Sequence, residues 1–212
     1  MVACFLSTAN IDSGAALYDV RHPNIPCIQY KLGTLARRKE HVTHITFNSS
    51  GSQVLVQIRE HDPLLFDASS GEPICRFFHL EMKNRISKHE QKGCFLGMED
   101  EYVAVGSEDF RIYVWKVPPR SSQSLNTCSN EMLDLCHMPH LVLPGHRSIV
   151  SKLLFSKNNQ LLFSVGVEKM VKVITYTVEI VIYHLNAFSV RIIKSDPIST
   201  VTIRANKLSE PE

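Results

Sequence analysis

Gly106-Ser107-Glu108-Asp109-Phe110-Arg111-Ile112-Tyr113-Val114-Trp115 is the stretch on which the reading of this chain turns. Its first half is turn chemistry, because short Ser and Asp side chains bond back to nearby backbone N–H groups and compete with regular structure. Its second half, from Arg111 to Trp115, alternates as a strand does. The unit is an acidic tight turn feeding one strand, with Asp109 six positions before Trp115.

The same register recurs outward from this stretch. Asp12 stands six residues before Tyr18, Glu60 before Phe66, and Glu168 before Ile174, and Lys169-Met170-Val171-Lys172-Val173 repeats the strand. The anchors lie 48, 49 and 59 residues apart. Further strands are predicted at 44–47, at 54–58 after Ser49-Ser50-Gly51-Ser52, and at 102–105 after Glu99-Asp100-Glu101. The longest interval contains 118–140, a stretch rich in Pro, Ser, Asn and His, which is placed as an exposed insert loop.

Composition narrows the function classes. The chain has 212 residues, 44% apolar and 21% charged, so it suits an ordinary packed core. A formal net charge of +2 offers no bulk attraction to nucleic acid or an anionic membrane. Residues 178–190 are apolar but broken by Glu179, His184 and Asn186, so no membrane span is expected. Met1-Val2-Ala3-Cys4-Phe5-Leu6-Ser7 lacks the basic start of a secretory signal, which places the chain inside the cell, nuclear and/or cytoplasmic. Cys4, Cys27, Cys75, Cys94, Cys128 and Cys136 form no Cys-x-x-Cys pair and are read as small buried hydrophobes.

Motifs for a nucleophile, a phosphate loop or a metalloprotease are lacking, so no enzyme and no cofactor is expected. Cys128, Cys136, His137 and His140 match no compact zinc module and read as loop residues. The basic runs Arg37-Arg38-Lys39 and 83–92 are interrupted by Glu40, Glu81 and Glu90 within or beside them and read as solvated connections.

Gly145-His146, a predicted strand at 150–155 and a turn at Lys157-Asn158-Asn159-Gln160 supply the other half of the repeat. Gly-His openings, Trp endings and a period of about 40 to 45 residues are features of WD repeats, which this chain resembles. The resemblance implies an all-β fold: a partial WD40 β-propeller of about four blades over 1–174, followed by a divergent strand-like segment and polar tail at 175–212. Asp12, Glu60, Ser107, Asp109, Trp115, His146 and Glu168 would then be structural residues. His146, Ser107, Asp109 and Trp115 resemble the hydrogen-bonded His, Ser, Asp and Trp set that staples WD blades.

A more particular resemblance is carried by several segments: Ser7-Thr8-Ala9-Asn10 with Leu17-Tyr18-Asp19-Val20-Arg21, Phe47-Asn48-Ser49-Ser50-Gly51, Gly106 to Phe110, Gly145-His146-Arg147-Ser148-Ile149-Val150, and Gly166-Val167-Glu168-Lys169. They are similar to the DDB-adaptor and cullin-4-associated factors, substrate receptors of cullin-4 RING ubiquitin ligases. Ile174 departs from the family's Trp, and the pattern breaks after Val173.

In that family, an aromatic-Asp-x-Arg motif ending a blade strand resembles an adaptor-binding box, and Tyr18-Asp19-Val20-Arg21 fits it. The equivalent places are Phe66-Asp67-Ala68-Ser69, Trp115-Lys116-Val117-Pro118 and Ile174-Thr175-Tyr176-Thr177, so Arg21 is singular. Arg21 could equally be a solvated end-of-strand cation pairing with Asp19. The resemblance implies a substrate receptor whose partners are a ligase adaptor subunit and a substrate protein. A WD40 scaffold unrelated to ubiquitin, or a truncated form without function, stays open.

Overall fold

The computed structural model describes residues 5–10, 14–30, 32, 42–59, 61–79, 91–118, 136–175, 188–193 and 199–205. Among them the chain forms strands and turns and no helix. The first sheet holds β1 (Phe5–Asn10), β2 (Gly14–Asp19) and β3 (Ile28–Gln29) in that order. The second is built from β4 (Val42–Phe47), β5 (Gln53–Ile58), β6 (Leu64–Asp67) and β7 (Pro73–Phe77), each antiparallel to the next.

The third contains β8 (Cys94–Leu96), β9 (Tyr102–Gly106) and β10 (Ile112–Lys116). In the stretch read as an insert loop, Cys136–His137 forms β11, which joins β7 in parallel, while β12 (Leu141–Leu143) completes the third sheet beside β10. The fourth sheet runs β13 (Val150–Ser156), β14 (Leu161–Gly166) and β15 (Met170–Thr175), and is extended by the hairpin of β16 (Phe188–Ile193) and β17 (Ser199–Ala205), with β17 against β15.

The sheets pack face to face in sequence order, and the strand period of two decides which neighbour each side chain meets. In β5, Val54 and Val56 pack toward the first sheet while Leu55 packs toward the third. In β10, Tyr113 and Trp115 face the second sheet, whereas Ile112 and Val114 face the fourth. Both faces of the second and third sheets are therefore covered, which is why β5 is buried along its whole length. Each such Leu, Val or Phe contributes about 1.5–3 kcal/mol by leaving water. This stack of mostly antiparallel sheets of three to five strands, packed face against face in sequence order, is the architecture of a partial WD40 β-propeller.

The repeat extends to irregularities. The pairing of β4 with β5 shifts between Val42 and His44, and that of β13 with β14 shifts between Val150 and Lys152, at the same place in each sheet. The turns after the first strand of sheets two, three and four each hold a residue in left-handed backbone: Gly51, Asp100 and Gln160, with φ of 69°, 61° and 52°.

Candidate functional site

Tyr18 and Asp19 end β2, where they pair with Leu6 and Phe5 of β1. Leu17 points into the core, so the alternation turns Tyr18 outward to a half-buried position. The chain then turns sharply: the His22 N–H donates to the Asp19 carbonyl at 2.9 Å, and Cys27 returns to the Leu17 carbonyl at 2.8 Å. Within this turn Asp19 Oδ1 accepts the Arg21 backbone N–H at 3.0 Å and Arg21 Nε–H at 2.9 Å, and Oδ2 accepts Nη2–H at 2.5 Å. This is the bidentate arrangement for which a planar guanidinium is suited. The side-chain and backbone bonds from Arg21 hold the Asp19 carboxyl down at about 2.

The sequence left open whether Arg21 pairs with Asp19, and it does so while staying half exposed. Val20 and Ile25, both exposed, flank it in the same loop. A fixed guanidinium edge beside solvent-facing aliphatic groups is the mixed chemistry of protein interfaces, where Arg is enriched. Asp19 also lines a shallow cleft shared with the turn 48–52 and with Asp67 to Ser69 of the second sheet.

Asp67, the counterpart of Asp19, is used differently. Its Oδ1 accepts the backbone N–H and hydroxyl of both Ser69 and Ser70. Ser69 stands where Arg21 stands in the first sheet, so the Asp67 turn closes on itself and carries no cation.

The residues read as structural fall into two clusters rather than one. His146 Nδ1 lies 2.7 Å from Glu168 Oε1, and Nε2 lies 2.7 Å from the hydroxyl of fully buried Ser164. Burial lowers the His146 pKa, keeping the ring neutral. Burial alone would raise the Glu168 pKa, but hydrogen bonds from His146 and the Arg147 amide leave it lowered. A neutral ring donating from Nδ1 to the carboxylate and accepting at Nε2 from Ser164 satisfies both ring nitrogens and the Ser164 hydroxyl, while the buried Glu168 Oε2 has no hydrogen-bond partner among the described residues.

The second cluster belongs to the third sheet. Asp109 accepts the Tyr113 hydroxyl at 2.5 Å and the Arg111 N–H at 3.3 Å. Burial and that bond raise the Tyr113 pKa. Trp115 Nε1–H donates across to the Phe78 carbonyl of the second sheet at 3.3 Å. The buried Ser107 hydroxyl accepts the Asp109 N–H at 3.5 Å, and its carbonyl accepts the Val150 N–H at 3.2 Å.

His146 thus works with Ser164 and Glu168 of its own sheet, Ser107 and Asp109 form a separate set with Tyr113, and Trp115 bonds across to the second sheet. Ser164 and Tyr113 escaped the sequence reading. Their signal was periodicity: Ser164 lies four residues before Glu168, and Tyr113 four after Asp109. Asp12 and Glu60 lie outside the described residues, as do Arg37 to Lys39, 80–90 and Cys128. Of the zinc-type residues, Cys136 and His137 form β11, and the His140 ring lies 5.5 Å from that of Tyr102. Among the described residues no three His, Cys, Asp or Glu side chains gather as a metal site, and no helix is long and apolar enough to cross a membrane.

Comparison with known proteins adds two findings. Residues 138–175, spanning β12 to β15 and containing His146, Ser164 and Glu168, match the WD domain, G-beta repeat. DDB1- and CUL4-associated factor 5 from Mus musculus is 33% identical over 129 residues, covering 61% of this chain and 13% of that protein. Its Homo sapiens counterpart is 32% identical over 129 residues with the same coverage of each chain. The chain therefore spans only a small part of the length of these relatives. The chain thus carries a matched WD repeat at 138–175 and resembles DDB1- and CUL4-associated factor 5 over 129 residues.

Proposed function

We propose that this chain is a non-catalytic protein-interaction module acting as a substrate receptor of a cullin-4 RING ubiquitin ligase, in the nucleus or cytoplasm. The loop of Tyr18, Asp19 and Arg21 docks the adaptor, DDB1 in the name of the relatives, and another face holds a protein to be ubiquitinated. Such a receptor breaks no bond itself. It raises the local concentration of substrate lysines near the ubiquitin-charged enzyme.

One observation carries this reading: Asp19 and Arg21 form a bidentate, half-exposed pair flanked by Val20 and Ile25, while the matching turn of the second sheet has Ser69 in the arginine's place. The test is binding of the purified chain to DDB1, comparing wild type with the Asp19→Ala, Arg21→Ala double variant. Loss of binding by a variant that unfolds like wild type is expected. Unchanged binding would overturn the docking role, and failure of folded wild type to bind would favour a WD40 scaffold unrelated to ubiquitin.

A further inference from the structure

The pairing register puts Phe66 opposite Val54, Trp115 opposite Val103 and Ile174 opposite Leu162. These are one structural position in three successive sheets, and each side chain faces the preceding sheet. At the first two an aromatic ring, fully buried, fills the space between sheets. At the third, Ile174 brings a smaller aliphatic side chain. Beside it lies a cavity of about 290 Å³ between the third and fourth sheets, lined by both Leu162 and Ile174.

Leu143, Val114, Phe155, Leu162 and Ile174 form apolar walls. The polar groups lie at the end where the first turns of the two sheets sit, with Glu101 and Tyr102 starting β9, His140 just before β12 and Gln160 just before β14. At this rim the Gln160 amide donates to the Met98 sulfur at 2.8 Å, and exposed Met98 borders the opening. A dry apolar cavity of about 150 Å³ accommodates benzene, and ligand pockets begin near 300 Å³. The space is therefore large enough for a bicyclic ring, and it opens to solvent past hydrogen-bonding groups.

We infer that this cavity is a binding site for a planar aromatic ring of about indole size. The ring takes the place that Phe66 and Trp115 fill in the neighbouring sheets, and any polar substituent lies toward Glu101, His140 and Gln160. The ring is either that of a free small molecule or the side chain of a peptide. The inference is independent of adaptor docking, which concerns the loop after β2.

The experiment titrates the full chain with indole and, separately, with N-acetyltryptophanamide, following methyl resonances of Leu143, Leu162 and Ile174 and the thermal midpoint. Saturable shifts of those methyls by indole, with a rise in Tm, are expected. Ile174→Trp should weaken indole binding roughly tenfold or more, since its own ring occupies the space. Leu143→Phe, which fills the cavity from the opposite wall, serves as a second variant should Ile174→Trp fail to fold. Saturable binding of N-acetyltryptophanamide at the same methyls would identify a peptide side chain as the source, and binding of indole alone a free ligand. No saturable shift with either probe, or undiminished indole binding by a folded cavity-filling variant, would overturn the inference.

Discussion

The Asp100 carboxylate, in the turn before β9, accepts the backbone N–H of Ser49 from the turn before β5 at 2.7 Å. It also accepts the Ser49 hydroxyl at 3.1 Å and lies 2.7 Å from Lys157 Nζ in the turn before β14. One side chain, 5% exposed, thus ties together the corresponding turns of three consecutive sheets. The Lys157 ammonium also reaches the Met98 carbonyl at 3.0 Å.

Asp100→Ala should therefore cost about 1–2 kcal/mol, because it removes the acceptor of the Ser49 N–H and hydroxyl and one partner of the Lys157 ammonium. Asp100→Asn should cost less: Asn tolerates the left-handed backbone at φ 61° and still accepts one bond. Urea midpoints of the two variants against wild type provide the check. Equal losses would show that the charge on Asp100, rather than its acceptor oxygens, matters.

His146 makes stability depend on pH in a defined direction. Its folded-state pKa is lowered from 6.5, so the unfolded chain binds the proton more readily than the native one. The stabilisation is complete above about pH 6.5 and falls as pH drops toward the lowered value. His146→Phe should lose about 2 kcal/mol at neutral pH by stranding Ser164 and Glu168, and should flatten this slope below about pH 7. Denaturant melts across that range check both parts.

Arg21→Lys should impair adaptor binding nearly as much as Arg21→Ala while leaving the thermal midpoint unchanged. A lysine keeps the charge but loses the fork that grips both Asp19 oxygens. Because the Asp19 carboxyl sits at about 2, below its ordinary 3.8, the pair's stabilisation is present above 3.8 and is lost only as pH falls through about 2. Titration of Asp19 should therefore leave binding flat from pH 5 to 8 on this account. Binding curves at several pH values, with Arg21→Lys alongside, test it.

Trp115, the single tryptophan, is fully buried between the second and third sheets and packs its ring 5.5 Å from that of Phe77. Trp115→Ala should destabilise by about 3–5 kcal/mol, and Trp115→Phe by less, since a ring still fills most of the space. In wild type its fluorescence should report the separation of those two sheets. A red shift coincident with loss of the circular-dichroism signal would show that they unfold with the rest of the chain.

Much of the fold was legible in one dimension because its signals are local. A strand alternates with period two, and a turn acid bonds backbone groups two or three residues on, so Asp109 to Trp115 and Glu168 to Ile174 announced the same unit. The first box was legible for the same reason, since Asp19 and Arg21 are two residues apart and could only pair or part. The partners of His146 were less so, because Ser164 and Glu168 lie 18 and 22 residues away and a serine in a strand carries no mark of its role.

The order of residues by itself determined the repeat, its register, the singular arginine and the departure at Ile174. Tertiary packing alone decided that Asp100 bridges three turns, that His146 pairs within its own sheet, and that Ile174 borders a cavity. Those outcomes depend on which sheet face meets which, and that is settled by burying apolar surface between strands far apart along the chain rather than by any neighbouring residue.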